Sequence, residues 1–240
     1  MMKNRFFTLM KNDLKILLRE RALMGLFVIP FLLLLGAYFL VDFMQGKLNL
    51  VLYVPIVLTF LIIESPMLFG FINGFMLLEE KDENILSALQ VLPMKKWIFI
   101  AYRQLFGTVF TFLVILLYYF VFPVIPLTFV EFFFLDLIIS LEAPLLTLGV
   151  ALIASNKVEG LAFFKFFNFI ILLPFLQLFI HSNWHVLLGI SYSYWPIRIL
   201  FDGFLITNIP LYVWISGFCY HIALLVGVSV LFSKYPTISN

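Results

Sequence analysis

Charge is what this chain has least of: 12% of its 240 residues are Asp, Glu, Lys or Arg, about half the share in ordinary soluble domains. That scarcity leaves no case for a soluble enzyme, and the net charge of +2 gives no reason to invoke nucleic acid. A single cysteine, Cys219, excludes a disulfide within the chain and says nothing about redox compartment. No G-x-x-x-x-G-K-[ST] run is present, so the chain carries no phosphate loop. His181 and His185 stand four apart, a spacing a metal could use, yet no third ligand or H-E-x-x-H motif joins them, and no metal site is expected. Strand-like alternation is missing as well, which removes a membrane barrel.

What remains is hydrophobic: 64% of the residues are apolar or aromatic, and they gather into runs of about 20, enough to cross a hydrocarbon core of roughly 30 Å as helices. In lipid every backbone polar group must be satisfied within the segment, so an all-α integral membrane protein follows. Six spans are predicted, at 22–41, 50–78, 97–122, 132–153, 161–179 and 211–232. With both termini in the cytoplasm, only Lys47 and Arg198 of the 15 basic residues fall outside, as the positive-inside rule requires. The basic start could pass for a signal peptide, but its apolar run is too long and no small-residue cleavage site follows. All six spans are expected to form a single transmembrane domain covering 1–240.

Three segments depart from plain spans. Residues 1–21 mix Phe6, Phe7, Leu9, Leu14 and Leu17 with basic residues, which suits either an amphipathic interfacial helix or a basic flank of the first span. The second span, at about 1.5 Å per residue, exceeds the bilayer core, and Pro66 near its middle predicts a kink. Residues 181–210 are too apolar for a solvated loop; Trp184, Tyr192, Tyr194 and Trp195 favour the interface, so short half-buried outer helices in a re-entrant segment are expected.

The polar island EEKDENILSALQVLPMKK, residues 79–96, lies between the second and third spans. Glu79, Glu80, Asp82 and Glu83 around Lys81 suit a helix N-terminus, Ile85, Leu86, Leu89 and Leu92 form one apolar stripe, and Pro93 ends the helix. Such a stripe fits a partner groove or the membrane surface.

This island resembles the coupling segment by which membrane subunits of ABC-2 type ABC exporters, including drug and peptide-toxin exporters, contact their ATPase. The resemblance rests on the acidic cluster, the spaced leucines, Pro93 and the basic pair Lys95-Lys96, and extends to the six-span layout, the amphipathic start and the outer segment around Tyr194-Trp195-Pro196. Asn84 stands where glycine is usual, and asparagine tolerates a left-handed backbone. The likeness implies a permease subunit in a bacterial cytoplasmic membrane, exporting hydrophobic or amphipathic molecules: drug-like compounds, amphipathic peptides or lipids. It implies a second permease chain, identical or related, and two copies of a cytoplasmic ABC ATPase that bind ATP and Mg. This chain then needs no cofactor and catalyses nothing. Glu80, Lys81, Asp82, Glu83, Asn84, Ile85, Leu86, Leu89, Leu92 and Pro93 become the ATPase-coupling residues, and the transport path is expected between the second and fifth spans at the seam of the permease dimer. Glu79-Glu80 also resembles the paired glutamates of intramembrane CAAX-type proteases, but Asn84 stands where that pattern needs arginine.

On the second span Phe60, Glu64, Met67 and Phe71 share one helical face, and on the fifth Phe166, Asn168 and Phe169 sit in an aromatic run; together they are the candidate substrate path, or ordinary packing. Glu64, Asp136 and Glu142 fall inside spans, where a charge costs about 2.5–3.5 kcal/mol or more on insertion scales, so each must be neutral, paired or beside a wet cavity. They leave open a proton-coupled secondary transporter. A non-transporting membrane scaffold is a further alternative.

Overall fold

The computed structural model describes residue 15 and residues 17–83, 96–180, 183–205 and 208–234, and the side chains of residues 22, 96–100, 103 and 183 lie outside it. The described residues are helical, without strands. Six helical stretches are long and apolar enough to cross a membrane: Leu23–Gln45, Val51–Asp82, Gln104–Val121, Phe129–Ile153, Lys157–Leu178 and Leu211–Ser233. They coincide with the predicted spans because span length is set by bilayer thickness, which an apolar run must match wherever it packs. The expected helices of 1–21 and 84–95 fall largely outside the described residues.

In chain order the elements are α1 (Arg21–Gln45), a 3-10 turn at Val51–Tyr53, α2 (Val54–Asp82), α3 (Lys96–Val121), α4 (Phe129–Ser140), α5 (Glu142–Ile153), α6 (Lys157–Leu172), 3-10 segments at Leu173–Leu178 and Asn183–Ile190, α7 (Tyr194–Leu205) and α8 (Leu211–Ser233). The end of the bundle where α2 stops and α6 starts is called the near end; the opposite end, where α2 starts and α7 lies, is the far end.

Two prolines lie inside the buried spans. Pro66 lies inside α2, which stays helical from Val54 to Asp82. The break falls in the fourth span, predicted as one helix over 132–153: α4 stops at Ser140 and α5 restarts at Glu142. Pro144 supplies the reason, since its ring meets the carbonyl four residues back, that of Ser140, and it has no N–H to donate there. A polar half-turn, Ser140-Leu141-Glu142, is left inside the bundle, with Ser140 and Glu142 buried.

α2 is the axis of the fold. Leu58, Ile62, Ile63, Met67, Ile72 and Leu78 on its several faces are all buried against α1, α3, α5, α6 and α7. Its closest neighbour is α5, and the approach is permitted by Gly70 and Gly74, a G-x-x-x-G pair of the kind that lets backbones touch in lipid. A Cβ on Gly70 would stand 2.6 Å from the Ala143 carbonyl oxygen. Thr147 of α5 places its hydroxyl 3.0 Å from the Gly70 carbonyl and 2.9 Å from that of Ala143, sealing the seam with a hydrogen bond as well as packing. α8 attaches more sparingly, burying Val213, Gly217, His221 and Phe232 along one line.

Candidate functional site

The near end gathers charge. α6 begins at an N-cap: Asn156 Oδ1 accepts from the Glu159 amide at 2.9 Å, and the Glu159 carboxylate accepts from the amide of Ser155, one residue before the cap, at 2.7 Å. This fixes Lys157 at the first helical position, from which its Nζ reaches Glu79 of α2 at 3.1 Å and Glu20, just before α1, at 3.3 Å. Two residues on, Lys81 donates to the Ala154 carbonyl at the end of α5 at 3.0 Å. Asp82 and Glu83 then lead the chain outward, both exposed, while Glu80 is half-buried. Of the expected coupling residues, Glu80, Lys81, Asp82 and Glu83 are therefore placed at the mouth of the near end. Asn84, Ile85, Leu86, Leu89, Leu92 and Pro93 lie outside the described residues.

The expected path residues separate into two groups. Phe60, Glu64, Met67 and Phe71 do share a face of α2, and that face meets the fifth span: Phe71 packs on Phe164 with ring centroids 3.8 Å apart, and Phe60 on Phe175 at 6.2 Å. Met67 and Phe71 are buried there, while Phe60 and Glu64 are half-buried. Phe166 and Phe169 point elsewhere, 58% and 63% exposed on the outer face of α6, and Asn168 donates to the Phe164 carbonyl of its own helix at 3.4 Å.

In the middle of the bundle Glu142, at the start of α5, meets His221 of α8, Oε1 to Nε2 at 3.4 Å, and both side chains are fully buried. His221 Nδ1 lies 2.7 Å from the Gly217 carbonyl. A carbonyl can only accept, so Nδ1 is the donor there and Nε2 faces the carboxyl. Among the described residues Glu142 Oε2 has no hydrogen-bond partner, nor has the buried hydroxyl of Tyr192, before α7. Burial first, then the Glu142 and Glu64 carboxylates, push the Tyr192 phenol well above the usual range. Asp136 lies apart from this group, accepting from Ser140 at 3.0 Å within its own span. His221 and Lys157 were not singled out by sequence reasoning; a histidine inside an apolar span and a lysine opening a helix, against the macrodipole, were the available signals.

A family model described as the Rv2686c-like fluoroquinolones export permease protein matches residues 13–229, taking in the junction at the near end and the buried pair alike. The chain belongs to this export permease family. Two relatives from Mycobacterium tuberculosis, the fluoroquinolones export permease proteins Rv2686c (strain H37Rv) and MT2760 (strain CDC 1551 / Oshkosh), are each 27% identical over 197 residues, covering 78% of both chains. No solved structure matches. Membership agrees with the resemblance drawn from residues 79–96, and with six apolar helices it makes this export permease a multi-pass membrane protein.

The far end of the permease is capped by the outer segment. Arg198 of α7 donates to the Tyr194 hydroxyl at 3.1 Å and the Tyr212 hydroxyl at 2.9 Å, and its Nε lies 3.4 Å from Asp202. His185 meets the same Tyr194 hydroxyl at 2.8 Å. Burial, reinforced by Arg198, holds the His185 imidazole below its usual pKa, and burial raises the Asp202 carboxyl although Arg198 opposes it. These groups satisfy one another and fasten α7 over the bundle. Among the described residues no three His, Cys, Asp or Glu side chains come together in a way that could hold a metal.

Proposed function

We propose that this export permease is the membrane subunit of an ATP-driven exporter in a bacterial cytoplasmic membrane, with both termini inside and the near end facing the cytoplasm. One observation carries the reading: α2 runs out of the bundle at Glu79–Glu83 into a charged, leucine-spaced segment suited to a protein groove. Two copies of a separate ABC ATPase bind ATP and Mg there, and this chain hydrolyses nothing. The exported molecules are hydrophobic or amphipathic, with fluoroquinolones the first class to try, since the mycobacterial relatives are named for them. The path runs between the second and fifth spans at the seam with a second permease chain, a placement supported by the exposed Phe166 and Phe169 face of α6. ATP binding draws the ATPases together and pulls on the segment after α2, tilting α2 and opening the seam outward.

The test is co-purification. With Leu86→Glu or Leu89→Glu the ATPase is expected to be lost while the permease still extracts as a folded species; an ATPase that stays bound to both variants overturns the docking.

The buried Glu142–His221 pair favours a second reading, a proton-coupled transporter using Glu64, Asp136 and Glu142. Efflux from proteoliposomes decides between them: dependence on an imposed pH gradient without ATP selects the proton reading, and dependence on ATP without a gradient selects the first.

A further inference from the structure

Lys157 occupies a position its own helix disfavours. A cation in the first turn opposes the macrodipole, commonly by a few tenths of a kcal/mol to about 1 kcal/mol, and Asn156 already supplies the side-chain N-cap of α6. What rewards a lysine there lies outside α6: Glu79 at 3.1 Å and Glu20 at 3.3 Å, carboxylates from the end of α2 and the approach to α1. Below this ionic contact is a small apolar core of its own. Leu78 of α2, Val150 of α5 and Ala154 just beyond it are buried together, with Phe163 and Phe167 of α6 packed on them. Gly160 lets α6 close on Leu78, for a Cβ there would stand 2.6 Å from the leucine methyl. Lys81 adds the hydrogen bond to Ala154. The stub that enters the docking segment is thus fastened to the exit of the fourth span, the entry of the fifth and the approach to the first.

We infer that Lys157, Glu79 and Glu20 form the transmission joint of the permease, by which a pull on the docking segment reaches α6 directly and does not have to pass through the length of α2. This rests on the proposed ATPase partnership and names a positioning element for it that the docking helix alone does not contain. Exposed ion pairs add little stability, and Lys157, Glu79 and Glu20 are each about one-third exposed, so the joint serves force transfer and its loss leaves the fold standing.

The experiment uses the full complex, purified through a tag on this chain, with an environment-sensitive fluorophore on Phe169→Cys in a Cys219→Ser background. Position 169 is on the face of α6 that is exposed in the single chain and turned to the second permease chain in the proposed complex, so it reports movement of the fifth span at that seam without needing a known substrate. With Lys157 present, ATP and vanadate are expected to change the signal. In Lys157→Met the change is expected to fall about ten-fold, a size ordinary for coupling between sites, while the ATPase stays bound and hydrolyses ATP. Lys157→Arg retains the signal, and Glu20→Gln with Glu79→Gln reproduces the loss. An undiminished signal in Lys157→Met overturns the joint, as does a reporter that ignores nucleotide with Lys157 in place. Failure of any ATPase to accompany the unmutated chain instead overturns the parent reading, and is visible before the reporter is used.

Discussion

The two spans proposed for the transport path, α2 and α6, are opposites. α2 is enclosed on every side, with a run from Ser65 to Gly74 in which every residue is buried; α6 buries only Gly160 and Ile171. Both are equally apolar in kind, so composition does not separate them. The difference is one of neighbours: α2 has glycines where α5 must approach, and α6 carries phenylalanines on the face turned away from the bundle. An apolar face costs nothing in lipid, so the exposure of α6 leaves it free to slide, tilt or take up a second chain, while α2 can move only with what surrounds it. The joint at Lys157 links the fixed wall to the free one.

The largest effect that would break this comparison lies where the sparsely attached α8 is held to α5, the helix packed most closely on the fixed wall. His221→Leu leaves Glu142 buried without its partner, a change worth about 3–5 kcal/mol when a buried pair is broken. The folded, monodisperse yield in detergent is expected to collapse. Glu142→Leu combined with His221→Leu is expected to recover most of it, since no buried polar group is then orphaned; continued collapse of the double variant would show that the pair does more than hold α8.

Next in size is Gly70→Ala. Its methyl would meet the Ala143 carbonyl at 2.6 Å and the Leu146 Cβ at 2.9 Å, so the α2–α5 backbones must part. Overpacking of this kind costs about 1–3 kcal/mol, and thermal unfolding is expected several degrees lower. Gly74→Ala, with nothing closer than 3.5 Å, is expected to lose much less. Equal losses at the two glycines would mean that the seam is looser than its geometry.

Smallest of all is the effect on the free wall. Phe166→Cys in a Cys219→Ser background is expected to change stability by less than about 0.5 kcal/mol, as exposed substitutions do. In native membranes the same cysteine is expected to cross-link two permease chains, and a failure to do so under oxidation, with full labelling by a maleimide, would remove α6 from the interface.

Much of this was legible in the chain beforehand. The six spans were, because an apolar run of bilayer length has one stable option, and so was the face shared by Phe60, Glu64, Met67 and Phe71, because helical spacing alone sets it. The break in the fourth span was not legible. Pro66 attracts notice at the middle of the longest span, and it lies inside α2 with Ser65, Met67, Leu68 and Phe69 all buried. Pro144 breaks its span three residues earlier, at Leu141, because the carbonyl it obstructs is that of Ser140. The outward turn of Phe166 and Phe169 was hidden for a different reason: a phenylalanine facing lipid and one facing a neighbour are the same letter, and a span that is hydrophobic all round has no moment to show its inner side.

The chain by itself determined that it crosses a membrane six times and that a charged, leucine-striped segment follows the second crossing. Those properties depend on transfer of residues between water and lipid, a quantity each segment carries alone. Tertiary structure decided that Glu142 meets His221 across 79 residues of sequence, that Gly70 rather than Gly74 is the tight contact, and that Lys157 is bound to Glu79 and Glu20. Each of these depends on which helices become neighbours and at what rotation. In lipid that choice is made by close packing and by pairing of polar groups, and hydropathy does not record it.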